Sequence, residues 1–356
     1  MNVAHLSGRR IALILGPSTG GIGRHVVSLR DALRTSGAVP LVVGPADVLA
    51  RFSLEADGHA YERHRPAGAQ GLRALLRHVD LVHAHGLRPA TSVSLARTRC
   101  PVVVTWHNRV LGDASRRLRA RPAERLVAHR ATVSLCVSRD LVEHVFRLGG
   151  QPRLAPVGAA LPIPSGRLAA ELGTQLGAAG RAVIVCVARL HHQKGLDLLV
   201  DAASRLADHP CRPLILIAGE GPEQVSLEQR ITDTSAPVRL LGARSDVADL
   251  LAAADMAVLP SRWEGSPLFA HEALAAGVPL IATRVGGVPL LTGDGARLVP
   301  PGDGTALAAA MRDLLDDPPA AAALAARGSA RARALPDAEA TAEGVLAVYT
   351  ELLDRR

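Results

Sequence analysis

The chain has 356 residues, more than one hydrophobic core ordinarily supports, which favours two α/β domains over one. Hydrophobic residues make up 48% and charged residues 21%, a balance that excludes a disordered chain. Aromatic residues stand at 2%, too few for base-stacking platforms, so no nucleic-acid partner is expected despite a formal charge of +8.

Short apolar runs alternate with amphipathic helical patterns, the signature of parallel sheets covered by helices. The first half has strand candidates at Ile11–Leu15, Val39–Val43, Leu81–Ala84, Val102–Thr105 and Thr132–Val137. The first helix is predicted from about Gly23, with Ile22, Val26, Leu29 and Leu33 on one face. Between Ile11–Leu15 and that helix lies Gly16-Pro-Ser-Thr-Gly20-Gly21-Ile-Gly23, whose glycines let backbone approach a ligand and leave amides for phosphate. It is not a dinucleotide fingerprint, because Val26 stands where the third glycine belongs.

His83 and His85 form an H-x-H with no acidic or Cys partner at ligand spacing, so no metal site is expected there. His107 follows the strand Val102–Thr105, where a satisfied structural histidine is the bland alternative. Arg109–Arg130 is rich in arginine, either a solvated face or a dock for an anionic membrane or a phosphorylated ligand.

Ala155–Gly166, rich in Pro and Gly and without period, reads as a linker. Strands then resume at Val183–Ala188, Leu214–Ala218, Val238–Leu241, Met256–Pro260 and Leu280–Ala282, with helices around Leu196–Leu206, Pro222–Thr232, Leu268–Ala276 and Thr305–Leu315. The last helix, Ala338–Leu353, follows Pro336. The expected fold class is therefore α/β, two Rossmann-like doubly wound domains facing a deep interdomain cleft. The domains are placed at residues 1–155 and 156–337, with a C-terminal helix at about 338–356 packing back on the first.

Cys100, Cys136, Cys186 and Cys211 have no C-x-x-C spacing and read as buried thiols of a reducing compartment. Met1–Arg10 lacks a signal-peptide core and no uncharged apolar stretch is long enough to span a bilayer, so a cytoplasmic location is expected.

Three strand ends in the second half carry chemistry. Arg189 and Lys194, in Arg189-Leu-His-His-Gln-Lys194-Gly195, could converge on a diphosphate, the first as a fork and the second as a point charge. Lys194 is the only lysine among the 41 cations, which marks a site suited to a compact ammonium. In Ser261-Arg-Trp-Glu264-Gly-Ser266-Pro267-Leu268-Phe269-Ala-His-Glu272, Ser266 is expected as N-cap and Pro267 in the first turn, leaving the amides of Leu268, Phe269 and Ala270 for an anion. Glu264 and Glu272 flank that site, as a sugar nucleotide would require; a turn residue and a surface helix charge are the plain alternatives. The third strand end is Gly219-Glu-Gly-Pro222.

VARLHHQKG, IAGEGP, PSRWEGSPLFAHEALAAGVPLIATRVGG and ARLVPPGD, in this order, resemble the donor domain of family 4 retaining glycosyltransferases, closely over Val183–Asp303 and more loosely before it. The resemblance implies the GT-B fold and transfer of a hexose-type sugar from a UDP- or GDP-sugar to an acceptor hydroxyl, with no metal or other cofactor. It implies that Arg189 and Lys194 hold the donor diphosphate. Glu264 and Glu272, the E-x7-E pair, hold the transferred sugar and the ribose, and backbone around Ser266, Pro267, Leu268 and Phe269 adds contacts. Gly20 and Gly21 are implied to meet donor phosphate and the acceptor, His107 to be the active-site histidine beside the donor sugar, and His83 and His85 to lie on the acceptor side.

Two positions depart from the family pattern: Val157 replaces its usual Asn, and Leu290 stands where an acidic residue is common. The rival readings are a sugar-nucleotide epimerase or phosphorylase on the same fold, and a non-catalytic nucleotide-sugar sensor.

Overall fold

The computed structural model describes residues 6–18, 20–61, 69–159, 163–165 and 177–355. The predicted linker thus lies partly outside the described residues, at 160–162 and 166, and so does part of the Met1–Arg10 stretch, at 1–5. The chain divides into two compact units, Met1–Gly158 with Pro336–Arg356, and Ala159–Leu335.

The first unit holds strands β1 (Arg10–Leu15), β2 (Val39–Pro45), β3 (Gly58–Tyr61), β4 (Leu81–His85), β5 (Val102–Trp106), β6 (Val133–Cys136) and β7 (Pro152–Leu154). Among the described residues they form one sheet in the order β3-β2-β1-β4-β5-β6-β7, every pairing parallel. The order reverses between β1 and β4, and a cleft opens at the carboxyl ends of strands where order reverses.

Helix Gly21–Thr35 buries Val26, Leu29 and Leu33 against this sheet. The last helix, Ala338–Asp354, adds Val345, Leu346, Tyr349 and Leu352 to the same core. Asp337 caps it, accepting from the Ala340 amide at 2.8 Å.

The second unit holds β8 (Val183–Val187), β9 (Leu214–Ala218), β10 (Val238–Leu240), β11 (Met256–Leu259), β12 (Leu280–Thr283) and β13 (Ala296–Val299), in the order β10-β9-β8-β11-β12-β13, again all parallel. Successive side chains of a strand point to opposite faces. Val183 and Val185 accordingly enter one core with Leu214, Leu216, Ala257 and Leu259. Ile184 and Cys186 enter the other with Ile215, Ile217, Met256 and Val258. Burial on both faces is why these strands read as unbroken apolar runs and not as an alternation. The switch point of this sheet lies between β8 and β11.

The expected burial is found for two of the four cysteines and needs correcting for the others. Burial pushes the Cys136 and Cys186 thiols up to about 12. Cys100 is only partly buried, and Cys211 is exposed. Cys211 sits before the left-handed Arg212 in the turn leading into β9, outside the apolar run beside which it stands in sequence. Among the described residues no helix is long and apolar enough to cross a membrane.

Candidate active site

In the second unit the two strands flanking the switch point deliver Lys194 and Glu264 to each other. After β8 the chain turns through His192–Lys194 and reaches Gly195, whose φ of +63° suits glycine. A Cβ there would stand 2.2 Å from the Pro260 carbonyl oxygen, so a side chain is excluded by the loop that follows β11. The two loops are stitched together by Arg262 N–H donating to the Gln193 carbonyl at 2.8 Å and Gln193 Nε2 donating to the Trp263 carbonyl at 2.9 Å. Arg262 also makes a bidentate pair with Asp197 at 2.7 and 2.6 Å. Burial works to raise the Asp197 carboxyl, but the Arg262 hydrogen bonds and charge outweigh it and hold it below its ordinary value.

Lys194 Nζ lies 2.6 Å from Glu264 Oε1. Ser261 Oγ donates to the same oxygen, also at 2.6 Å, and Glu264 is only 4% exposed. The backbone of Glu264 is clamped as well. Its carbonyl accepts from the Gly287 amide at 3.0 Å, and a Cβ on Gly286, at φ +49°, would lie 1.8 Å from it.

Arg189 follows β8 on the exposed side of its loop, and among the described residues no carboxylate pairs with its guanidinium. Gly219 and Gly221 bring the third loop in by direct backbone contact. A Cβ on Gly219 would stand 1.9 Å from the Ala188 carbonyl oxygen, and one on Gly221 would stand 2.2 Å from that of Leu190.

The start of helix Leu268–Ala275 differs from the sequence expectation. Its N-cap is Pro267 and not Ser266, because the Pro267 carbonyl accepts the first helical bonds, from the Ala270 and His271 amides at 3.1 and 3.4 Å. The Ala270 amide is thereby occupied. Leu268 and Phe269 remain as the amides for which no acceptor is found among the described residues. Ser266 is half-buried in the bend before the cap. Glu272 is inside the helix and 5% exposed, so it is not a surface helix charge.

The predicted site residues of the first unit group around buried histidines. His107 follows β5 and is 8% exposed; its Nε2 faces His85 Nδ1 at 3.3 Å. His25, from the first helix, meets both His85 and His107 edge-on, with ring centroids 5.5 and 5.7 Å apart. His83 is fully buried between Thr105 Oγ1, at 2.6 Å, and Tyr349 Oη, which corrects its expected place on the acceptor side. Inward register on β4 and the arrival of the last helix close it off from solvent. Burial lowers the pKa of His25 to about 4 and drives those of His83, His85 and His107 well below the ordinary value, so all four are neutral at neutral pH.

Gly20 is the N-cap of helix Gly21–Thr35, and a Cβ on it would meet nothing within 4 Å. Gly23 is the glycine whose missing side chain matters for packing, since a Cβ there would collide with the Phe52 ring at 2.1 Å.

Comparison with known proteins identifies the family. A family model described as glycosyl transferases group 1 matches residues 181–317, and one described as a glycosyl transferase 4-like domain matches residues 20–159. D-inositol 3-phosphate glycosyltransferase of Kineococcus radiotolerans is 32% identical over 327 residues, covering 79% of this chain and 73% of that protein. The chain belongs to the family 4 glycosyltransferases.

A second relative is the lipopolysaccharide core biosynthesis mannosyltransferase LpsB of Rhizobium meliloti, 36% identical over 181 residues. That match covers 47% of this chain, which spans only about half, 51%, of the mannosyltransferase's length. Among solved structures, HepE from Anabaena in complex with UDP-glucose superposes with a TM-score of 0.84 over 96% of this chain and 100% of that one. At 22% identity this likeness speaks for the fold alone, two Rossmann-like parallel-sheet domains of the GT-B type.

Within this chain, sequence reasoning missed Ser261, Gly286 and Gly287, which hold Glu264, and His25, Thr105 and Tyr349, which enclose the other histidines. The R-V-G-G run was a visible signal for the glycine clamp. Nothing local marks Tyr349, which reaches the histidines from a helix 266 residues after His83.

Proposed function

We propose that this glycosyltransferase moves a hexose-type sugar from a UDP- or GDP-linked donor to an acceptor hydroxyl, with retention of anomeric configuration. The observation that carries this reading is the meeting of Lys194 and Glu264 at the switch point of the second sheet, one short loop before helix Leu268–Ala275.

A nucleoside diphosphate leaving group must have its developing negative charge stabilised. Arg189, Lys194 and the Leu268 and Phe269 amides supply positive charge for this, so the reading needs no metal and no other cofactor. Glu264 takes a hydroxyl of the transferred sugar once the diphosphate draws Lys194 away from it, and Glu272 takes the ribose. Gly20 and Gly21 leave backbone open to donor phosphate, and His107 lies against the donor sugar. The sugar-nucleotide reading, not the individual residue roles, is supported by similar proteins: one is named a D-inositol 3-phosphate glycosyltransferase, and a structure of the same fold holds UDP-glucose.

The Arg-rich helix Ala114–Arg130 is proposed to meet a phosphorylated acceptor or an anionic membrane. Arg116, Arg117, Arg119, Arg121 and Arg125 are exposed around Leu118, which is itself 68% exposed. Co-sedimentation with anionic but not neutral vesicles is the expected result for the membrane case.

A thermal-shift screen of nucleoside diphosphates and their sugars tests the main reading, since a ligand bound to the native state raises the melting temperature. We expect uridine or guanosine diphosphate to stabilise the protein, with acceptor-dependent release of the same diphosphate and an unchanged anomer in the product. Stabilisation without turnover across acceptors would establish a sensor, and an inverted product would remove retention.

A further inference from the structure

We infer that His85 is a positioning residue which fixes His107 in the tautomer protonated on Nδ1, so that His107 meets the substrate as a hydrogen-bond donor and not as a base. The inference rests on the proposed function in one respect, that His107 faces the sugar or acceptor.

The argument is a proton count. Both imidazoles are buried and neutral, so each ring carries one proton on one of two nitrogens. His85 Nδ1 faces His107 Nε2 at 3.3 Å, and one nitrogen of that pair must donate while the other accepts. His85 Nε2 is buried and has no hydrogen-bond partner among the described residues. A proton placed on it would be a buried donor with no acceptor, among the costlier arrangements in a protein interior. A proton placed on His85 Nδ1 has an acceptor ready in His107 Nε2. The His107 proton then belongs on its Nδ1, which no other described group engages.

The surroundings hold this arrangement in place. His85 packs on His83, with ring centroids 4.1 Å apart, and His83 is pinned at both nitrogens by hydroxyls, Thr105 on the neighbouring strand and Tyr349 on the last helix. Those hydroxyls can each donate or accept, so His83 anchors the stack without dictating the proton on His85. His25 closes the remaining side, edge-on to both rings.

Nitrogen-15 spectra of the full chain labelled at histidine read the tautomer directly, with the His107 signals assigned from a His107→Gln variant. The expected wild-type pattern is protonation at Nδ1, and protonation at Nε2 would overturn the inference whatever the activity. In turnover assays His85→Leu should lower kcat about ten- to a hundredfold with the donor KM unchanged, as loss of orientation does. His85→Asn, which keeps an N–H near the position of Nδ1, should restore most of that loss. Wild-type turnover in His85→Leu, or a loss that His85→Asn does not reverse, would also overturn it. Full activity in His107→Ala would instead end the reading of His107 as substrate-facing, while leaving the nitrogen spectra to decide the tautomer.

Discussion

Lys194 and Glu264 stand 70 residues apart in sequence, yet the ammonium and carboxylate lie 2.6 Å from one another, and Ser261 shares the same carboxylate oxygen. The carboxylate is nearly buried while the lysine side chain keeps 18% exposure, so the cation is the partner with access to solvent. Under the proposed function, a donor diphosphate arriving from that side would compete with Glu264 for Lys194 and would leave the carboxylate placed to accept a sugar hydroxyl. On that reading the sole lysine of the chain couples donor binding to the state of Glu264.

Lys194→Ala should abolish turnover and also cost stability, because it leaves a buried carboxylate with Ser261 alone. The cost is about 1–3 kcal/mol after allowance for the partial exposure of the lysine. Lys194→Met combined with Glu264→Gln should recover that stability without activity. Urea unfolding of both variants, beside turnover, checks both statements. Lys194→Arg should remain strongly impaired, since a planar fork does not replace a point charge between Glu264 and a phosphate.

Glu272→Gln keeps the shape of a buried side chain and should leave the fold intact. If Glu272 holds the ribose, the donor KM rises by about tenfold or more while kcat changes less. A variant with unaltered KM removes Glu272 from the donor contacts.

Gly286→Ala places a Cβ against the Glu264 carbonyl in a left-handed backbone conformation. Destabilisation of about 1–3 kcal/mol is expected. Because the clash falls on Glu264 itself, donor affinity should drop along with the melting temperature. A melting temperature equal to wild type would show that the clamp is not required.

Stability of the first unit should depend on pH through its buried histidines. Burial lowers the His25 pKa from 6.5 to about 4, so below 6.5 the unfolded chain takes up a proton that the folded chain refuses until about 4. The contribution of neutral His25 is thus complete above pH 6.5 and is lost as pH falls towards 4, amounting to about 3 kcal/mol across that window. His83, His85 and His107 shift in the same direction and add to the slope. Urea midpoints measured from pH 7 to 4 should fall, and His25→Gln should flatten the dependence by about 1.4 kcal/mol per pH unit. An equal slope in the variant would show that His25 is not held neutral.

Much of this protein is legible in its sequence because the signals are local. The inner strands β8, β9, β11 and β12 are covered on both faces, so their runs V-I-V-C-V, L-I-L-I-A, M-A-V-L and L-I-A-T stand out as unbroken apolar segments. Strands β3, β7 and β13 do not: each lies at a sheet edge, is three or four residues long and is only partly buried, so it carries no apolar run to detect. Misplacing the N-cap by one residue, at Ser266 for Pro267, has the same character. Cap propensity favours serine, but the position is settled by which carbonyl accepts the first helical bond.

The residue types of the candidate site, a lone lysine, two glutamates spaced around a helix start and glycines at strand ends, were determined by the sequence alone, since strand-end chemistry is written in contiguous residues. Which atoms meet was decided by tertiary structure. Parallel pairing of β8 with β11 joins Lys194 to Glu264, and the return of the last helix puts Tyr349 on His83. Contacts of 70 and 266 residues' separation leave no trace in local periodicity, because the packing that creates them is a property of the assembled sheet and not of any one segment.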